Sequence, residues 1–323
     1  MFSALTTVMV KKRVMAVSAV LALAAIVAVT VNVSVRTAEA AFGGVEVYLG
    51  GYPVNIELYT SGPAVASVSA EVEACGLEEG DIVTHVNGVR VSGACDAECV
   101  LSVSGDSALF QVFRNGERLA VDVPDADGVT FGEGISGLGT VTFEKSDGSY
   151  RALGHAITSA GKTVSAEYGY IYDSEIIGAK LPSGGAAGRL IGRRRGSEPI
   201  GNILSNDTFG LSGKMFGQAR GEEFIVMSHD EVRPGKALIY STVDSERRAY
   251  EIEIVKAKKS DSRGEKSMVI RVTDEALLEK TGGILQGMSG SPIVQNGKLA
   301  GAVTHVFTGD PTRGYGVFAE WLL

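Results

Sequence analysis

The sequence is short of positive charge, cysteine and histidine, and each shortage removes a class of function. Thirty Lys and Arg stand against 38 Asp and Glu, a formal net charge of −8. A nucleic-acid-binding protein needs a basic face to neutralise phosphates, so this balance argues against one. The one dense basic run, Arg193-Arg194-Arg195 in a Gly-rich stretch, reads as a solvated loop. Cys75, Cys95 and Cys99 come without a CxxC or HxxxH partner, so no metal site is expected. In an exported chain two of them could form a disulfide and leave one over; buried or incidental thiols are the plainer reading. Gly132-x-Gly134-x-x-Gly137 has dinucleotide-motif spacing, but Thr140-Val141-Thr142-Phe143 reads as strand where that motif needs a helix. It is read as a linker or turn.

Charged residues are 21% and hydrophobic ones 45% of the 323 residues, which allows a packed core and suggests two domains. Lys11-Lys12-Arg13 precedes an apolar run from Val14 to Val31, and Ala38-Glu39-Ala40 follows with small residues suited to cleavage. This reads as an export signal, with residues 1–41 either a cleaved peptide or a membrane anchor. The basic flank holds the N-terminal side in the cytoplasm, so everything after about residue 41 lies outside.

Residues 44–123 read as a small β-rich module. Val54, Ile56 and Leu58 alternate with polar residues, the period of a half-buried strand. Ala74-Cys75-Gly76-Leu77-Glu78-Glu79-Gly80-Asp81-Ile82-Val83 leads through a strand to an Asn87-Gly88 hairpin turn. A short helix from about Ala94 to Val103 and two strands joined by Asn115-Gly116 complete it. This stretch resembles a bacterial PDZ domain. The resemblance implies capture of an extended peptide at a sheet edge, with Gly50, Gly51 and Tyr52 where a carboxylate-binding loop would lie.

From residue 124 to the end, short β-type runs alternate with turns, as in Phe224–Met227, Ala237–Thr242, Tyr250–Val255, Met268–Val272 and Leu299–Phe307. That pattern favours a barrel or sandwich. The sharpest chemical feature is Gly287-Met288-Ser289-Gly290-Ser291-Pro292. A nucleophilic serine needs an exposed hydroxyl on a tight turn, with backbone N–H groups converging on the developing oxyanion. Gly287 and Ser289 could supply those two N–H groups, and Gly290 removes a side chain that would crowd the attacked carbonyl.

A serine of ordinary acidity also needs a base, and the chain offers four histidines. His85 falls in the module's hairpin, His229 in an ordinary turn, and His305 in mid-strand with Val303 and Phe307 on its face. His155, in the small-residue setting Leu153-Gly154-His155-Ala156, is the expected general base.

With both motifs in view, the chain resembles the stage IV sporulation protein B peptidases. The segments that carry the resemblance are Gly282 to Ile293, Gly154-His155-Ala156, and the tail from Ala302 through Asp310-Pro311-Thr312-Arg313-Gly314-Tyr315 to Trp321. The resemblance implies a mainly β fold in which a signal helix and a PDZ domain precede a chymotrypsin-like double β-barrel. It also implies a serine endopeptidase that cleaves itself and signals in the space between the two membranes around a forming bacterial spore. Its partners would be protein substrates, itself included, a peptide on the PDZ groove, and the membrane. No cofactor is expected. The resemblance points to Asp274 as the third catalytic residue, with Asp244 as the alternative and Asp207 and Asp230 behind it; Asp274 also suits a helix N-cap. Gly283 would lie near the base of the first specificity pocket. The rival readings are an exported PDZ adaptor without catalytic activity and an esterase-type hydrolase on another fold.

Overall fold

The computed structural model describes residues 44–323 apart from 61, 115–116, 133–134, 160–161, 165–167 and 259–261. The export signal, the Asn115-Gly116 turn and part of the Gly132–Gly137 motif lie outside the described residues. Among those described, no helix is long and apolar enough to cross a membrane. The fold is mainly β, with few helices.

The described residues begin with β1 (Glu46–Leu49) and β2 (Pro53–Tyr59). A small module follows: β3 (Ala64–Val68), α1 (Ala70–Ala74), β4 (Ile82–Val86), β5 (Val89–Arg90), α2 (Ala94–Ser104), β6 (Ala108–Arg114), β7 (Glu117–Val123) and β8 (Val129–Gly132). Next come β9 (Ile135–Glu144), β10 (Ser149–Leu153), β11 (Thr158–Ser159), β12 (Lys162–Thr163), β13 (Tyr168–Lys180), β14 (Arg189–Arg194), β15 (Gly201–Asp207), β16 (Gly210–Met215) and β17 (Glu223–Ile225). The last third holds β18 (Gly235–Thr242), β19 (Arg247–Ala257), β20 (Met268–Val272), α3 (Glu275–Thr281), β21 (Pro292–Gln295), β22 (Lys298–Phe307) and β23 (Asp310–Phe318).

Pairings of β2 with β9, β9 with β10, β10 with β16, β16 with β15, β15 with β13 and β13 with β2 run in a closed ring. The alternation in β2 turns Val54, Ile56 and Leu58 inward, where they pack on Val141, Tyr150, Ile171 and Leu211. A second ring is a closed barrel, β18-β19-β20-β23-β22-β21. Its inward residues include Ile239, Ile252, Ile254, Ile270, Ile293 and Val317, all buried.

The module has its own sheet, β7-β6-β4-β3-β8, and its own core around Leu77, Val83, Val86 and Phe110. Asp81 of the Gly80-Asp81 pair is buried. It accepts from Glu78 N at 3.0 Å and, through both oxygens, from the Arg114 guanidinium at 2.5 Å. Asn87 and Gly88 both have positive φ, 50° and 78°, as a tight hairpin turn demands. Cys75, Cys95 and Cys99 are exposed free thiols, which fits the incidental reading of them and not the buried one. Their short helices each leave one face in solvent.

The module boundary differs from the sequence reading. Residues 46–59 pair with β9, β13 and β17, so β1 and β2 belong to the larger sheet. The module is inserted between two neighbouring strands of the first ring, β2 and β9. Gly50 N donates to Thr142 O at 2.9 Å and Gly51 N to Val141 O at 2.8 Å. Gly51 O accepts from Thr242 Oγ1 and Gly50 O from Arg247 Nε. Gly50, Gly51 and Tyr52 are therefore a seam between the two rings. With the Gly50 and Gly51 amides already bonded there and Tyr52 O accepting from Val141 N, this stretch belongs to the ring seam and not to the module's carboxylate-binding loop.

Candidate active site

Each ring contributes one end of a strand to a shared cleft of about 450 Å³. From the first ring, β10 stops at Leu153 and Gly154, which have φ of 70° and 71°. For a leucine that conformation costs about 1–2 kcal/mol. The two left-handed residues turn the chain sharply, Gly154 N closing back on Ala152 O at 2.9 Å, and deliver the His155 ring to the cleft. A Cβ on Gly154 would come within 3.1 Å of Thr304 Cγ2, so glycine here also lets β10 approach the second ring.

From the second ring, the chain between α3 and β21 carries Ser289. Gly287 and Gly290 have φ of 98° and 95°, which only glycine adopts cheaply. Strand β9 of the first ring buttresses this turn. Thr140 N donates to Ser289 O at 3.1 Å, Thr140 Oγ1 to Gly287 O at 2.8 Å and Thr142 Oγ1 to Gly290 O at 2.8 Å. A Cβ on Gly290 would lie 2.1 Å from Thr140 O and 2.5 Å from Leu153 N. The glycine is thus required by the neighbouring backbone, whereas the sequence reading assigned its bareness to the attacked carbonyl. Among the described residues, neither Gly287 N nor Ser289 N has a hydrogen-bond acceptor within the protein. Two donors near one serine, left open, are what an oxyanion requires.

Ser289 and His155 line the same cleft, but no hydrogen bond joins them in this conformation. Ser289 Oγ donates to Thr304 O at 2.7 Å. His155 Nδ1 pairs with Ala156 O at 2.9 Å, which leaves Nε2 as the basic nitrogen when Nδ1 carries the proton. Burial is the main cause that lowers the His155 pKa below its ordinary 6.5. The Ala156 carbonyl and Glu265 oppose that shift, and Lys266 adds to it.

The structure adds a residue that sequence reasoning passed over. The His305 ring lies on that of His155, centroids 4.5 Å apart and planes 35° apart. Its Nδ1 is buried without a partner. Burial first, and then the charges of His155 and Lys266, push its pKa down to about 4, so it is neutral at physiological pH. Its position sixteen residues beyond the serine gave no sign of this, because β22 carries it back across the ring to the cleft.

The acidic candidates are occupied elsewhere. Asp274 caps α3, accepting from Leu277 N at 2.9 Å, and accepts from Glu251 N at 3.2 Å. Asp244 pairs with Lys280, which lowers its pKa. Asp207 pairs with Arg151 at 3.0 Å, and Asp230 is an exposed neighbour of His229 at 3.5 Å. Among the described residues, no carboxylate is hydrogen-bonded to His155; Glu265 is the acid whose charge it feels. Gly283 is not among the residues that line the cleft. A Cβ there would meet Pro311 O at 2.2 Å, and the cleft wall beside it is Ile284, Leu285 and Gln286. The described residues hold no group of three or more His, Cys, Asp or Glu side chains that could ligate a metal.

The active and inactive crystal forms of the Rv3671c protease, the former from M. tuberculosis, share 15% identity with the chain. The active form has a TM-score of 0.34 over 59% of this chain and 71% of that one. The inactive form has a TM-score of 0.33 over 58% and 81%. No curated protein sequence matches the chain. The family described as SpoIVB peptidase S55 matches residues 127–323, a span that holds His155, Ser289 and both ends of the cleft. That match covers well over half of the sequence, and the chain is a serine peptidase of the SpoIVB S55 family.

Proposed function

We propose that this chain is an exported serine endopeptidase in which His155 activates Ser289. The observation that carries this reading is one cleft that holds an imidazole, a serine on a glycine-built turn, and two uncommitted amides beside it. Rotation of the Ser289 side chain away from Thr304 O brings its hydroxyl to the imidazole. His155 then removes the proton as Oγ attacks a peptide carbonyl, and Gly287 N and Ser289 N hold the oxyanion. The imidazolium protonates the departing amine, and water repeats the sequence on the acyl-enzyme. Two rings that each give one half of the site support a chymotrypsin-like double barrel. Residues 64–132, with their own sheet and core, support a PDZ-type module inserted into the first barrel. Self-cleavage, membrane attachment through residues 1–41, and action between the membranes around a forming spore follow from the family resemblance and complete the proposal.

Mass spectrometry of the full chain, with and without Ser289→Ala, tests it. Self-processing and labelling by a fluorophosphonate should both occur in the parent and vanish in the variant. A second reading, an adaptor without activity, is favoured by the hydroxyl bonded to Thr304 O and by the lack, among the described residues, of a carboxylate hydrogen-bonded to His155. A folded parent that neither processes itself nor takes the label would establish that reading.

A further inference from the structure

Among the described residues, no Asp, Glu, Lys or Arg lines the catalytic cleft, and its wall is largely apolar, with Leu138, Ile157, Ile284 and Leu285 among its residues. It favours neutral, mostly apolar substrate residues at the cleaved bond. Glu265 and Lys266 act on the cleft's histidines without lining it, and among the described residues charged side chains line an adjoining hollow of about 500 Å³, which shares Ala187 and Gln286 with the cleft and is otherwise lined from the β13–β14 hairpin. Two of its lining residues are cations, Lys180 and Arg189.

These two are direct partners across the hairpin. Directly opposed like charges destabilise a β pair. Among the described residues neither forms an ion pair, although the chain carries eight more acids than bases. Both are exposed, so solvent tempers their repulsion and leaves the two charges available to an anion in the hollow. The hairpin is also fixed to the catalytic turn. Leu190 N donates to Gln286 O and Gln286 N to Gly188 O, both at 2.9 Å, and Gln286 directly precedes the oxyanion donor Gly287. The backbone that carries the two cations is therefore tied to the catalytic turn.

We infer that Lys180 and Arg189 form a substrate subsite for a carboxylate, carried by a peptide whose neutral residues occupy the catalytic cleft. This rests on the peptidase reading and adds the substrate class. The carboxylate comes from an acidic side chain within a few residues of the cleaved bond or from a nearby C-terminus.

Fluorogenic peptides with apolar residues on both sides of the cleaved bond test this on the full chain. Asp is compared with Asn at each flanking position, and each peptide is made with a free and an amidated C-terminus. At one position Asp should raise kcat/KM about fivefold to tenfold over Asn, through KM, with the advantage shrinking at high salt. Preference for the free terminus instead would assign the subsite to a chain end. In Lys180→Glu/Arg189→Glu, verified as folded by its melting curve, the preference should invert. Equal rates for every acid–amide pair, or a charge reversal that leaves the ratio untouched, overturns the subsite. Anisotropy titration of the same peptides on Ser289→Ala reads the preference without turnover. Absence of cleavage thus counts against the peptidase reading alone, while equal binding counts against the subsite.

Discussion

The two rings present their catalytic groups by different local means. The second ring uses glycines at φ 98° and 95° to shape the serine turn, a solution with little conformational penalty. The first ring drives a leucine into the same half of φ space before Gly154, and stores strain to aim His155. The contrast shows what a motif can reveal. The glycines of the serine turn are visible as spelling, and Gly154-His155-Ala156 marks the base, whereas the strain at Leu153 that aims it is visible only in three dimensions.

The comparison is broken most severely by removing either delivered group. Ser289→Ala and His155→Ala should each lower kcat/KM by about 10⁴-fold or more, and the double variant should be scarcely worse, because the two act as one unit. Steady-state kinetics on a common peptide checks both. Next in size is the glycine that lets the rings touch. Gly290→Ala sets a Cβ 2.1 Å from Thr140 O at a φ hostile to alanine, and should cost about 3 kcal/mol of stability by denaturant unfolding. An equal Gly309→Ala loss would refute that cause, since nothing lies within 4 Å of a Cβ there.

Acid should act on both rings through the histidine pair. His155 and His305 have lowered pKa values in the folded protein, so the unfolded chain binds more protons once the pH falls below 6.5. Stability contributed by these rings is full above that pH and declines as it drops, His305 continuing down to about 4. His305→Phe keeps a ring against His155 and should flatten part of the decline in a melting-temperature series. The acid limb of kcat/KM should likewise lie below 6.5, since burial favours the neutral base.

The smallest expected effect is the sharpest test of the third residue. Asn caps a helix about as well as Asp, so Asp274→Asn should change stability by less than about 0.5 kcal/mol. If Asp274 only caps α3, kcat/KM should stay within about threefold. A drop near 10⁴-fold, the scale of losing an orienting carboxylate, would mean that Asp274 reaches His155 in another conformation.

Much of the second ring was legible because most of its strands pair with the next one along the chain, β18 with β19, β19 with β20, β21 with β22 and β22 with β23. Runs such as Ala237–Thr242 and Met268–Val272 coincide closely with β18 and β20. The serine turn, α3 and its capping aspartate were legible for the same reason: their causes are local. The first ring hid one of its strands. The alternation of Val54, Ile56 and Leu58 identified β2 as a strand, yet periodicity carries no information about the partner, and β9 and β13 lie beyond an entire module. Gly50 and Gly51 were misassigned for that reason. His305 was missed because its apolar neighbours suited a plain core strand, and stacking on a distant imidazole leaves no trace in sequence.

The insertion has a consequence for how the first ring closes. Chain entry and exit of the module are paired neighbours, Ala64 facing Gly132 and Val65 facing Phe131. Once folded on its own core, the intervening polypeptide behaves as a short pre-tied loop, and joining β2 to β9 loses far less chain entropy than a flexible linker of that length would demand. Assembly order is thereby suggested by topology: the guest first, its host's wall afterwards.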